Sequence, residues 1–336
     1  EELSADGAIV TDLLAPGTAP TGNPTADGPT AGGPAHGAAG AGGRALLRSR
    51  AVINATGVWA DTLADGVELR PSRGSHLVVA GAAFGLPGTG ITIPVPGEHN
   101  RYVIVLPQAD GLVYVGLTDE AVDHVEDVPV PTSAEVDFLL KAASSVLTTP
   151  LSRGDVLGTY AGLRPLLAGA DGPTADLSRR HAVLTSSSGV ITVVGGKLTT
   201  YRRMAQDALD TAVASRGLPA GRCRTRRLPL VGAAPRATLD RLDAPPRLVA
   251  RYGTEAATVL AEARRAGDPE LLAPVADGVE VTGAELLFAI RHEGAFAVDD
   301  LLDRRTRIGL VPASRAAAEP AARAISTQFA TAPLPA

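Results

Sequence analysis

Cysteine is almost absent from this sequence of 336 residues, which contains only Cys223. A single thiol excludes an internal disulfide framework and a cluster of thiolate metal ligands. The six histidines show no spacing typical of a metal centre. We therefore expect no metal site, and the low cysteine content indicates a reducing, cytoplasmic location.

Long apolar runs are also missing. The longest candidate window, 77–97, is interrupted by Pro87, Pro94 and Pro96, which predicts strands and turns instead of a membrane-spanning helix. The first residues, EELSADG, are acidic and do not resemble a signal peptide. Any membrane contact is therefore expected to be peripheral.

The net charge of -5 gives no reason to expect nucleic-acid binding. The arginine-rich stretch 222–227 is short, and we interpret it as a solvated face between domains. Lysine is scarce, because only Lys141 and Lys197 among the 31 basic side chains are lysines. An ammonium in a chain dominated by arginine makes Lys197 a candidate functional residue.

The composition, 45% hydrophobic and 20% charged, is typical of a globular protein, and the length allows two domains. Residues 16–43 are mostly small residues, proline and threonine, which predicts a flexible insert. The apolar runs at 8–10 and from 45 onwards are expected to pair as a hairpin around it. The predicted domains are a partial strand with the insert in 1–43, a sheet domain in 44–218 and a helical domain in 219–336.

Alternating and continuous apolar patterns predict a series of strands before residue 200. These strands cover 75–80, 91–94, 101–106, 111–116, 156–161, 181–187 and 190–194. A helix is expected from Thr132, where Thr132 and Glu135 form a capping box, and another is expected to end before Gly217.

Beyond about residue 220 the periodicity is helical, and Thr282 and Glu285 form a second capping box. We expect no strands in this part of the chain. The predicted fold class is therefore α+β, or mixed α/β, with a C-terminal helical domain.

Residues 193–202, VVGGKLTTYR, combine an apolar strand, two glycines and the start of a helix. Glycines allow backbone to approach a ligand closely, and the first amides of a helix lack intrahelical partners. Lys197 adds a positive charge at the positive helix end. The pattern is typical of an anion or cofactor cradle, while a tight turn alone is the alternative interpretation.

A similar junction occurs at residues 52–61, VINATGVWAD. An apolar strand ends there in small residues that leave room for a flat ligand, and Trp59 follows at once. A turn with a core tryptophan is the alternative. Two such junctions in one chain favour cofactor binding.

Six stretches together resemble a known family: VINATGVWAD, RPSRGSHLVV, GLTDE, YAGLRPLL, VVGGKLTTYRRMAQDAL and AIRHEGAFAVDDLLDRRTRIGL. Their order and approximate spacing are those of the FAD-dependent glycerol-3-phosphate dehydrogenases, over roughly residues 45–312. GGKLTTYR and the final arginine-rich helix are specific to that family, whereas ATG fits many flavoproteins. The resemblance implies a partial FAD-binding and substrate-binding sheet domain of the amino-acid-oxidase type.

The same resemblance implies oxidation of glycerol 3-phosphate to dihydroxyacetone phosphate, with electrons passed to quinone at the inner face of the cell membrane. It assigns the FAD contacts to the two junctions. The implied FAD-binding residues are Thr56, Gly57, Trp59, Gly195, Gly196, Lys197, Leu198 and Thr199. A positive helix end and the Lys197 ammonium would stabilise charge on a reduced flavin.

Arg164 and His76 are the candidates for substrate chemistry, together with Lys197. A phosphate dianion calls for a guanidinium fork, and Arg164 lies among apolar and proline residues in GLRPL. Hydride transfer from carbon requires removal of the neighbouring hydroxyl proton, and His76 suits that task. The alternatives are a structural ion pair for Arg164 and a structural hydrogen bond for His76.

The sequence has no strand, G-x-G-x-x-G and helix of the kind that binds the FAD pyrophosphate. We therefore expect an N-terminally truncated member of the family, with FAD affinity lost or severely weakened. Two other functions stay open at this stage. One is a flavin oxidoreductase acting on an amino or 2-hydroxy acid, and the other is a non-catalytic remnant that binds a phosphorylated metabolite.

Overall fold

A computed structural model describes residues 2–3, 9–13, 45–85, 88–98, 101–168 and 180–329. The flexible insert predicted for 16–43 lies outside the described residues. The apolar runs beside it do pair as expected, because Ile9–Leu13 and Ala45–Ser49 form an antiparallel hairpin.

The strands follow the predicted order closely. They are β1 Glu2–Leu3, β2 Ile9–Leu13, β3 Ala45–Ser49, β4 Ile53–Asn54, β5 Ser72–Ala80, β6 Ile91–Pro94, β7 Tyr102–Pro107, β8 Leu112–Gly116, β9 Glu120–Ala121, β10 Val156–Arg164, β11 Ala182–Thr185, β12 Ile191–Val194, β13 Pro274–Ala276 and β14 Val279–Thr282. The α-helices are α1 Ser133–Ser144, α2 Tyr201–Arg216, α3 Arg236–Leu239, α4 Pro246–Tyr252, α5 Ala256–Ala266, α6 Gly283–His292 and α7 Pro312–Phe329.

The chain divides into two compact units. The first comprises the described residues within Glu1–Leu69, Leu167–Gly169 and Ser178–Cys223, and the second comprises those within Arg70–Leu166 and Arg224–Ala336. The domain boundaries expected after residues 43 and 218 stay predictions.

The first unit contains a small mixed sheet in the order β11-β12-β4. β12 runs parallel to β4 and antiparallel to β11. Its apolar core consists of Ala60, Ala64, Val67, Val190 and Val194. The parallel pairing matters most, because it brings the carboxyl ends of β4 and β12 to the same edge of the sheet.

The second unit contains a six-stranded antiparallel sheet in the order β10-β5-β8-β7-β6, with β9 beside β5. Side chains alternate between the two faces of each strand, so every second residue shares an environment. One face packs on α1 and forms a core from Leu77, Val79, Val103, Val105, Val113, Val115, Leu139, Leu140 and Ala143. The opposite face of β5 and β10 carries the polar and aromatic residues described below.

α1 begins as predicted with the capping box of Thr132 and Glu135, and α6 begins with that of Thr282 and Glu285. The helices after residue 240 pack around a second core that includes Leu248, Val259, Leu286, Leu287, Leu301, Leu302, Ala318 and Ile325. Glu285 is fully buried there and pairs with Arg247 and, more distantly, with Arg251.

The expectation that no strands follow residue 220 is wrong. β13 and β14 form an antiparallel hairpin across Asp277 and Gly278, the type of dipeptide favoured in tight hairpin turns. The alternation of Val279, Glu280 and Val281 places both valines in the core. The helical segments on either side dominate the apolar periodicity of this region, so the two short strands between them were not predicted.

The predicted fold class, a mixed α/β sheet domain followed by a C-terminal helical domain, is confirmed. Within the described ranges, no helix is both long enough and apolar enough to cross a lipid bilayer.

Candidate functional site

The two junctions predicted to bind a cofactor are neighbours in the first unit. Asn54 at the end of β4 pairs in register with Thr192 of β12, so the segments that follow both strands emerge together. Thr56 and Gly57 follow β4, and Gly195 follows β12. Ligands of open α/β sheets bind beyond the carboxyl ends of parallel strands.

Asn54 holds the first junction in place, a role that we did not expect from the sequence. This residue is buried, and its Nδ2 donates to the Ala60 carbonyl at 2.8 Å and to Thr192 Oγ1 at 3.3 Å. Its Oδ1 accepts a hydrogen bond of 2.6 Å from Thr56 Oγ1. Asn54 thus connects the turn after β4 to β12. The position of Thr56 therefore depends, through Asn54, on Thr192, which is far away in sequence.

The second junction requires its two glycines. Gly195 and Gly196 have φ angles of 73° and 74°, in the left-handed region that other residues avoid. A Cβ on Gly195 would lie 2.8 Å from the Arg180 carbonyl oxygen, and one on Gly196 would lie 2.6 Å from Met204 Sδ. The bend therefore depends on both glycines sterically as well as conformationally.

The helix predicted directly after these glycines begins later than expected. Leu198–Thr200 forms a 3₁₀ turn, and α2 starts at Tyr201. Lys197 precedes this turn in an extended conformation and is exposed. No carboxylate in the described part of the chain pairs with it, so the ammonium is not used in a structural salt bridge there.

Large apolar side chains around the junctions are exposed. Trp59 is 44% exposed, which contradicts the core position considered as its alternative, and Leu198 is 88% exposed. A Cβ on Gly57 would have no described heavy atom within 4 Å. The edge of the first unit thus offers open space beside apolar surface, which suits a flat ring better than a hydrated ion.

Arg164 and His76 lie on one face of the sheet in the second unit. β10 pairs with β5 so that Arg164 is opposite Ser72 and Tyr160 is opposite His76. The Arg164 side chain crosses towards β5, where a Cβ on Gly74 would collide with its guanidinium group. The register between the two strands therefore brings the two predicted substrate residues together.

Arg164 has a set of polar partners on this face. Its guanidinium donates to Ser72 Oγ at 3.2 Å, to Asp119 Oδ1 at 3.3 Å and to the Thr118 carbonyl at 3.2 Å. The Asp119 side chain is 7% exposed, whereas that of Arg164 is 25% exposed. The almost completely buried Asp119 carboxylate therefore fixes the position of the partly exposed Arg164 side chain.

His76 is a neutral imidazole at physiological pH. Burial, and secondly the charge of Arg164, lower the pKa of His76 to about 4. Its Nδ1 is buried without a hydrogen-bond partner among the described residues. Protonation of the ring would leave the Nδ1–H group without an acceptor, which agrees with the lowered pKa of His76.

Tyr160 is a site residue that sequence reasoning missed. Its ring stacks on the ring of His76, with centroids 4.6 Å apart and planes within 2° of parallel. Burial, followed by the neighbouring phenol of Tyr114, raises the pKa of Tyr160 to about 12. The sequence signal for Tyr160 is the alternation of side chains along a strand, which places residues 160 and 164 on the same face.

Glu135 fixes the strand that carries His76. Besides capping α1, it accepts hydrogen bonds from Ser75 Oγ at 2.8 Å, Thr118 Oγ1 at 2.7 Å and Arg73 Nε at 3.0 Å. Burial alone would raise the pKa of Glu135, but these bonds and those of Thr132 outweigh it and lower the pKa to about 2. The capping box is therefore also the anchor between α1 and the sheet.

Two other histidines have structural partners. His292 packs within the helical region, stacked on Phe288 and 3.2 Å from Glu262. The Nε2 atom of His181 lies 2.9 Å from Asp207 Oδ2 on α2. In the described residues, no group of three or more potential metal ligands is found.

Comparison with known proteins identifies the class. The family described as FAD dependent oxidoreductase matches residues 28–202, and the one described as C-terminal domain of alpha-glycerophosphate oxidase matches residues 223–331. The chain therefore belongs to the FAD dependent oxidoreductases. FAD, the predicted cofactor, is the cofactor of this family.

Within that class the similarity is to glycerol-3-phosphate dehydrogenases. The chain is 53% identical to glycerol-3-phosphate dehydrogenase 1 of Mycobacterium tuberculosis over 277 residues, which are 80% of this chain and 53% of that protein. It is 32% identical to the mitochondrial glycerol-3-phosphate dehydrogenase of Mesocricetus auratus, over 79% of this chain and 39% of that one. The predicted resemblance to the FAD-dependent glycerol-3-phosphate dehydrogenases is confirmed.

A solved structure agrees with this result. The glycerol-3-phosphate dehydrogenase from Bacillus halodurans, complexed with FAD, superimposes with a TM-score of 0.70 and 26% identity. The match covers 86% of this chain and 60% of that one. The chain thus spans about half the length of the curated relatives that it matches at higher identity.

Proposed function

We propose that the protein containing this chain oxidises glycerol 3-phosphate to dihydroxyacetone phosphate with FAD as the electron acceptor. The observation that carries the proposal is that Arg164 and His76 lie on the same face of β5 and β10. Arg164 suits the binding of a phosphate group, and His76 suits a proton transfer. The names of the relatives, glycerol-3-phosphate dehydrogenases, support the same substrate.

Arg164 would bind the phosphate. A guanidinium group presents several N–H donors in a plane and binds phosphate oxygens in a bidentate manner. Asp119 and the Thr118 carbonyl hold the group in one orientation, so little side-chain entropy would be lost on binding.

His76 would receive the proton of the C2 hydroxyl group. The neutral ring has one unprotonated nitrogen that can accept a proton, and Nε2 is that nitrogen when the ring hydrogen is on Nδ1, which is buried without a described acceptor. With a pKa near 4, His76 is a weak base in the ligand-free protein. A phosphate dianion on Arg164 would offset the cationic charge that helps to depress this pKa, so substrate binding itself would strengthen the base.

The junctions of the first unit fit a flavin. The open space beside Gly57, the exposed Trp59 and the bend at Gly195 and Gly196 leave room for a planar ring. When bound, FAD would supply the acceptor for the hydride of C2. Lys197 would hold positive charge near the electron-rich ring, because no described carboxylate neutralises it.

Transfer of the electrons to quinone, peripheral contact with the membrane and a cytoplasmic location are finer proposals. They rest on the resemblance of the six sequence stretches to the quinone-linked enzymes. An amino or 2-hydroxy acid substrate is less well supported, because it does not account for the match of residues 223–331 to a glycerophosphate oxidase domain.

Calorimetry on the 336-residue chain tests the substrate assignment. Glycerol 3-phosphate is expected to bind. Arg164→Lys should raise its Kd at least about tenfold, equivalent to about 1.4 kcal/mol, because an ammonium group cannot form the bidentate phosphate contact of a guanidinium group. Arg236→Lys is the control, since Arg236 is an exposed arginine of the same unit. Equal affinities for wild type and Arg164→Lys would contradict the phosphate role, and preference for lactate or an amino acid would favour the other substrate class.

A further inference from the structure

β10 has an open position between Tyr160 and Arg164. Gly162 shares the face of these two residues because side chains two apart on a strand point to the same side. A Cβ on Gly162 would meet no described heavy atom within 4 Å. At its register partner Gly74, in contrast, a Cβ would collide with the Arg164 guanidinium group. The arginine therefore covers β5 and leaves the space above Gly162 open.

The backbone gives no reason for a glycine at this position. Gly162 is not in the left-handed region, so any L-residue could adopt its conformation. Glycine within a strand loses more entropy on folding and contributes no packing, and it often marks the close approach of a ligand. A side chain at position 162 would therefore fill open space without straining the backbone.

We propose that Gly162 is a specificity-determining residue, whose missing side chain leaves room for the carbon chain of glycerol 3-phosphate beside Arg164 and His76. This inference rests on the function proposed above. The Arg164 guanidinium lies over Gly74, two residues along β5 from His76, and positions two residues apart on a strand are about 6.8 Å apart. That spacing suits a three-carbon ester with its phosphate at Arg164 and its hydroxyl end towards the rings of Tyr160 and His76.

The test compares two ligands that share the phosphate. Inorganic phosphate and glycerol 3-phosphate are titrated by calorimetry into the 336-residue chain and its Gly162→Ala variant. The added methyl group occupies the proposed carbon-chain space and does not replace any atom of Arg164. The Kd for glycerol 3-phosphate is expected to rise at least about tenfold, and that for inorganic phosphate to stay within about twofold.

Gly154→Ala is the matched control. Gly154 is an exposed glycine of the same unit, and a Cβ there would meet only Ser152 Oγ, at 3.5 Å, among the described atoms. Both Kd values should equal those of wild type. Gly162→Thr has a stronger strand propensity and should weaken glycerol 3-phosphate binding further, so the test does not depend on one variant folding.

The outcomes separate the two proposals. If wild type binds glycerol 3-phosphate and Gly162→Ala binds it equally well, the inference is overturned and the proposed function stands. If Gly162→Ala loses both ligands in parallel, the residue acts through Arg164 and the carbon-chain space is refuted. If wild type binds neither ligand, the proposed function fails for this chain and the inference fails with it.

Discussion

The substitution Glu135→Gln tests whether the buried carboxylate anchors the sheet that carries Arg164 and His76. The pKa of Glu135 is lowered from 4.5 to about 2, and since one pKa unit is worth about 1.4 kcal/mol, ionised Glu135 contributes about 3 kcal/mol at neutral pH. An amide keeps the shape but loses the charge of the acceptor. We expect the free energy of unfolding of the second unit to fall by about this amount at pH 7.

The pH dependence has a definite sign. A carboxyl group with a depressed pKa stabilises the fold above its unfolded pKa, and this contribution is lost as the pH falls from 4.5 towards 2. Wild type and Glu135→Gln should therefore differ most at neutral pH and converge at about pH 2. A difference that stays constant across this range would show that the charge of Glu135 is not the source of the stability.

Urea denaturation followed by tyrosine near-ultraviolet circular dichroism is a suitable assay. The second unit contains Tyr102, Tyr114, Tyr160 and Tyr252, whereas Trp59 lies in the first unit. Asp137→Asn is the control, because Asp137 lies on the same helix and its pair with Arg153 is exposed, which is worth about 0.5 kcal/mol or less. A loss below about 1 kcal/mol for Glu135→Gln would refute the reasoning.

Two further predictions concern the site. In a histidine NMR titration of the ligand-free chain, His76 should titrate near pH 4. Saturating sulfate, which stays doubly charged at that pH, should raise the pKa of His76 because it offsets the charge of Arg164. An unchanged pKa with bound sulfate would show that Arg164 is not the electrostatic partner of His76. In the FAD-loaded protein that contains this chain, Lys197→Gln should lower the flavin reduction potential because a positive charge beside the reduced ring is lost, while Lys197→Arg should change it less. Spectroscopic redox titration measures both variants, and equal potentials for wild type and Lys197→Gln would exclude Lys197 from the flavin environment.

Much of the fold was predictable because its signals are local. The boundaries of β6, β8 and β12 lie within one residue of the predicted strands, since apolar alternation reports directly on a pleated strand. The capping boxes at Thr132 and Thr282 mark helix starts through bonds that span three residues. The hairpin at β13 and β14 was missed because two short strands carry little periodic signal.

The site depended on pairings between distant parts of the chain. The sequence by itself determined which residues are available: an isolated lysine after two glycines, an arginine in GLRPL and a histidine that opens an apolar strand. Only the tertiary structure decided that β12 lies parallel to β4, which joins the two junctions across 138 residues through Asn54 and Thr192. It also decided the register of β10 on β5, which sets Arg164 beside His76, stacks Tyr160 on that histidine and leaves Gly162 open. Register is set by the packing of whole sheet faces, and a one-residue slip would move all of these side chains to the other side.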